Sequence, residues 1–70
     1  MTLLTNDEKI GIANQHLKNL QYNRYNLELS LIEENALATP TASVVTEVTA
    51  QLAAIDVKIA AIEEELATLA

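Results

Sequence analysis

Cysteine, tryptophan and phenylalanine are absent from this chain of 70 residues, and glycine, proline and histidine occur once each. Without cysteine there is no disulfide to staple the fold, and with His16 as the sole imidazole a structural zinc site has too few ligands. Gly11 and Pro40 leave almost no turn material, and Tyr22 and Tyr25 are the only aromatics. The core must therefore be aliphatic and alanine-rich, which suits helix-on-helix packing better than a sheet. Long apolar runs are missing too. Lys58 and Glu63–Glu65 interrupt the richest segment, so no membrane span is expected.

Basic residues are scarce. Four Lys and Arg stand against ten Asp and Glu, for a net charge of −6. The cations are scattered singly, whereas phosphate binding needs them clustered, so neither a nucleic-acid nor a membrane partner is expected. Met1–Leu4 carries no basic region and Asp7 and Glu8 follow closely, which does not resemble a signal peptide and implies a cytoplasmic protein. A single core in so short a chain seldom supplies more than about 3–5 kcal/mol. Oligomerisation, or docking on a larger protein, is the remaining source of stability.

What the chain does have is a ladder: Val45, Val48, Leu52, Ile55, Ile59, Ile62, Leu66 and Leu69, spaced alternately by three and four. That is the heptad pattern of a helix seam that meets another helix. Earlier, Thr5, Asp7 and Glu8 form a helix start signal: a threonine cap, an acid three residues later, and negative charge at the positive helix end. From there Ile10, Ala13, Leu17, Leu20, Leu27 and Leu31 form a second seam, interrupted at Arg24. Gly11 lies within it, at a cost of about 1 kcal/mol relative to alanine.

Proline keeps the preceding residue out of helical geometry, so Thr39 is expected as a cap with Pro40 at the first helical position. One continuous helix would carry an interior proline at a cost of about 3 kcal/mol. The expected fold is all-α: a single domain over 1–70, with helix 1 at about 6–36, a turn at about 37–39 and helix 2 at about 40–69. Two helices of similar length joined by a short connection form an antiparallel, coiled-coil-like hairpin. The expected pairing sets Leu31 against Val45 and Val48, Leu20 against Ile55 and Ile59, and Ile10 against Leu66 and Leu69.

One seam per helix completes a hairpin, yet helix 1 carries another stripe: Tyr22, Tyr25, Leu29, Ile32 and Ala36. At 100° per residue it lies away from the seam. Contiguous exposure of two tyrosines, a leucine and an isoleucine is unusual for a monomer, so this stripe is the candidate interface. Self-pairing through it would give a two-fold dimer, a four-helix bundle of two hairpins. A weaker strip of Ala42, Ala53, Ala60 and Ala67, flanked by Thr46 and Thr49, runs along helix 2; it reads equally well as plain helix-forming composition. β-branched residues at both ladder positions, with no buried Asn, do not favour a parallel two-stranded coil. A Lys58–Glu63 pairing across parallel copies of helix 2 leaves a trimer or tetramer as the minor alternative.

Arg24 faces Leu52 to Asp56 in this pairing, which makes an Arg24–Asp56 ion pair the candidate register device; the bland reading is an arginine that snorkels outward. Asn14, Asn19, Asn23 and Asn26, with Gln15 and Gln21, make an amide-rich stretch that reads first as solvated surface and second as a recognition patch. Glu63–Glu65 spread around one turn instead of converging, so they are no acid–base pair. No Glu-x-x-His motif, nucleophile set or phosphate loop is present. No enzyme, metal, cofactor or small-molecule substrate is expected. The expected role is self-association as an assembly or scaffold element, such as a small viral or accessory structural component, though no motif singles that out. The alternative is an acidic regulatory protein, an adaptor or inhibitor, on a larger partner, for which a basic one is the natural complement.

Overall fold

The computed structural model describes residues 3–70; the first two residues of the expected 1–70 domain lie outside the described residues. Two helices, α1 (Asn6–Asn35) and α2 (Ala42–Leu69), pack along each other with no strand among the described residues. α1 begins where its capping box dictates. The Thr5 side chain accepts from the Glu8 backbone N–H at 3.2 Å, and the Glu8 carboxylate accepts from the Thr5 N–H at 3.0 Å. Two otherwise orphaned donors are thereby satisfied. The bond from the Thr5 backbone, more than that from its hydroxyl, holds the Glu8 carboxyl below its ordinary value.

The connection differs from the expected one. α1 stops at Asn35, α2 starts at Ala42, and the cap is Thr41 instead of Thr39. Pro40 lies before the cap in the non-helical connection, not at the first helical position. The hydrogen bonds explain the shift. The Thr41 N–H donates to Glu34 Oε1 at 2.8 Å, and the Val44 and Val45 N–H groups donate to the Thr41 carbonyl. Thr41 makes no side-chain cap bond, and α2 has no acid in its first turn. Glu34 supplies that negative charge from across the turn, next to the positive end of α2.

Burial follows the ladder. Val45, Val48, Leu52, Ile55, Ile59, Ile62, Leu66 and Leu69 are the α2 residues drawn out of solvent, and every other described α2 position is exposed. On α1 the half-buried set is Ile10, Ala13, Leu17, Leu20, Arg24, Leu27, Glu28, Leu31 and Glu34. Val48, at 8 % exposure, is the one buried hydrophobe among the described residues. Leu20 lines one stretch of the seam's edge with Lys58, Ala61 and Ile62, and Leu27 lines the next with Gln51, Ala54 and Ile55. The connection spans six residues where two to four were expected. The molecule measures 58 × 20 × 15 Å, longer than the about 45 Å of a 30-residue helix.

Candidate interaction surface

Two helices cannot enclose a core. The chain exposes 5294 Å² for a mass of 7.6 kDa, where a compact monomer of that mass exposes about 4,300 Å². The excess of about 1,000 Å² reflects the rod-like shape of two helices with no third layer.

The outer face of α1 carries four of the ten large apolar side chains left in water among the described residues, and these four are contiguous. Tyr22 is 70 % exposed, Tyr25 60 %, Ile32 63 % and Leu29 37 %; Ala36, the C-cap of α1, is exposed as well. The three-four spacing that defines the seam recurs here about 150° further around the helix, at 100° per residue. All five residues therefore share one side of α1, and none faces α2. Neither Tyr hydroxyl makes a hydrogen bond within the described residues, so both rings present an apolar body and a free polar tip. Such side chains are typical of interface anchors.

Between the seam and this row lies a charged cluster. Arg24 Nε donates to Asp56 Oδ1 at 2.6 Å and Arg24 Nη2 to Asp56 Oδ2 at 3.4 Å, a two-pronged bond from α1 to α2. Arg24 Nη1 also meets Glu28 one turn along its own helix. The hydrogen bond from Arg24, then its charge, offsets a desolvation effect and lowers the Asp56 carboxyl from its ordinary value. The same partner raises the Arg24 guanidinium. The Arg24 and Asp56 side chains keep 36 % and 52 % of their exposure, so the pair is partly screened by water. Its geometry nonetheless ties one position of α1 to one position of α2.

The opposite side of the seam is a groove. His16, Asn19, Asn23, Asn26 and Ser30 form one wall and Gln51, Ala54, Lys58 and Ala61 the other, with Leu20, Leu27, Ile55 and Ile62 as the floor. The walls repeat the three-four spacing of the floor. Of the amide-rich stretch, Asn19, Asn23 and Asn26 reach this groove; Gln15 instead donates to Asn19 Oδ1 at 3.2 Å. The walls turn in one rotational sense from the seam on both helices. Tyr22–Ala36 and the Ala42–Ala67 strip turn in the other sense, and so flank the opposite side.

Glu28 and Glu34 were missed by reasoning from seam residues alone. Glu28 was discoverable as the acid four positions after Arg24 on a helix; Glu34 was not, because its partner is set by the path of the turn. Glu63–Glu65 are exposed. Among the described residues no group of three His, Cys, Asp or Glu converges as a metal site, and no helix is long and apolar enough to cross a membrane. No family model, curated protein or solved structure matches this chain.

Proposed function

We propose that this chain is a non-enzymatic interaction module that self-associates through the outer face of α1 and acts as an assembly or scaffold element. The supporting observation is the contiguous exposure of Tyr22, Tyr25, Leu29 and Ile32 on a hairpin too thin to cover them. Apolar patches of this kind on soluble proteins mark interaction sites. A second copy is the favoured occupant because the row can pair with itself, giving a dimer of two hairpins with four helices in all. Covering the row also supplies the burial that a chain of this length lacks on its own.

The test is absolute mass by light scattering across a concentration series. The expected result is about twice the 7.6 kDa of one chain. Tyr25→Glu combined with Leu29→Glu should give a monomer that remains helical by circular dichroism. A helical wild-type monomer at every concentration sinks the proposal and turns attention to a foreign partner, an acidic regulator on a larger basic protein being the second reading. Its support is the −6 charge with Glu63–Glu65 exposed. A double variant that stays dimeric moves the interface to another face.

A further inference from the structure

We infer that the second copy lies with its α1 antiparallel to this α1, about a two-fold axis at Leu29, so that the four helices form a flat row instead of a closed bundle. The inference rests on the self-association proposed above and specifies its geometry.

The first argument is angular. Helices of a closed four-helix bundle meet their two adjacent neighbours on faces roughly a right angle apart. Here the seam and the Tyr22–Ala36 row are about 150° apart around α1. A helix with such faces lies between its neighbours, almost in line with them. Closing a bundle on either side would also cover polar groups. One side would bury Arg24, Glu28 and Asp56, which carry a net negative charge, and the other would bury Asn19, Asn23, Asn26 and Lys58. Unless every such group found a partner, each would cost free energy on desolvation. The in-line arrangement leaves both clusters in water.

The second argument fixes direction. The apolar row runs from Tyr22 to Ala36 and is continued toward the N-terminus by Lys18 and Gln15 at the same spacing. In a parallel pair Lys18 faces the partner's Lys18, Tyr22 faces the partner's Tyr22, and Glu28 flanks the partner's Glu33 twice. The antiparallel pair separates the two Lys18, the two Tyr22 and the Glu28–Glu33 approaches. The one like-charge approach it leaves, Glu28 beside the partner's Glu28 near the axis, is offset because each Glu28 is paired with its own Arg24. With Leu29 on the axis, Tyr22 reaches the level of the partner's Ala36, a large residue against a small one. Asn26 then lies beside the partner's Glu33. Lys18 falls just beyond the C-terminal end of the partner's α1, where unpaired carbonyls favour a cation and where this helix has no basic residue of its own. The apolar overlap, residues 22–36, is about 21 Å long, so the interface is small and the dimer should dissociate on dilution.

The absence of cysteine in the chain makes single-cysteine variants clean reporters. Disulfides need Cα atoms within about 4.4–6.8 Å. Under mild oxidation Leu29→Cys should cross-link with itself. Tyr22→Cys and Ala36→Cys should each remain uncross-linked alone, being about 21 Å from their own copies, and should cross-link when mixed. All three positions are exposed in the monomer, and circular dichroism checks that each variant folds. Self-cross-linking by Tyr22→Cys overturns the antiparallel direction. A dimeric mass with none of these cross-links overturns the flat row while leaving self-association intact. A monomeric mass at every concentration overturns both.

Discussion

Two valines on α2 discriminate sharply between a seam-packed hairpin and any arrangement that covers α2 on all sides. Val48 is 8 % exposed and Val57 is 70 % exposed. Val48→Ala removes two carbons from a buried site at about 0.8 kcal/mol each, plus a cavity contribution. The cavity contribution is small here, because the neighbouring seam residues are half-exposed and free to relax. Alanine is the better helix former by up to about 0.7 kcal/mol, which offsets part of the loss. The net cost is about 1–2 kcal/mol, or a fall in Tm of roughly 5–15 °C for a chain of this size. Val57→Ala changes the same atoms where water already surrounds them, so only the propensity gain remains and Tm should hold or rise slightly. The assay is thermal and urea unfolding followed by circular dichroism at 222 nm, with both variants at one protein concentration because self-association couples to stability. Equal losses at the two positions would refute the reasoning, since the outer face of α2 would then have to be covered as well.

Gly11→Ala should raise stability by about 1 kcal/mol, because a Cβ at this helical position meets nothing within 4 Å; an unchanged or lower Tm would count against α1 being continuous there. Thr5→Ala should cost about 1 kcal/mol through loss of the cap, read as reduced helicity and Tm. The Glu8 and Asp56 carboxyls are both held below their ordinary values, so their stabilisation is complete above the unfolded carboxylate range and is lost as pH falls through the lowered folded values. The acid limb of a Tm–pH profile should therefore flatten in Asp56→Asn relative to wild type. Arg24→Leu should keep or raise Tm by extending the α1 seam, while broadening the distribution of oligomers and registers if the ion pair selects alignment; a lower Tm with unchanged monodispersity would assign it to stability alone.

The seams were legible because helical burial is periodic and only Leu, Ile and Val occupy the ladder. Each of the eight positions from Val45 to Leu69 is withdrawn from solvent, and none between them is. The capping box at Thr5 and Glu8 was legible for a related reason: its partners lie three residues apart, within the reach of local geometry. The start of α2 was not. Pro40 marks that the chain must break, but whether the cap is Thr39 or Thr41 turned on the Glu34 carboxylate reaching the Thr41 N–H from across the turn. A seven-residue reach depends on the path of the connection, and no propensity encodes it.

The candidate surface divides along the same line. Sequence spacing alone placed Tyr22, Tyr25, Leu29, Ile32 and Ala36 on one side of a helix and away from its seam, because 3.6 residues per turn leaves no freedom in that assignment. It also narrowed the neighbours of Arg24 to Leu52–Asp56 and named Asp56, the one acid in that stretch, as its candidate partner. Only the packed hairpin decided that Glu28 joins the pair and that the amides of Asn19, Asn23 and Asn26 wall a groove on the opposite side. Those outcomes depend on how far one helix slides along the other. A heptad seam repeats every turn or two and tolerates several alignments at similar burial, so the apolar pattern fixes which faces meet, while the Arg24–Asp56 bond distinguishes the register at which they do.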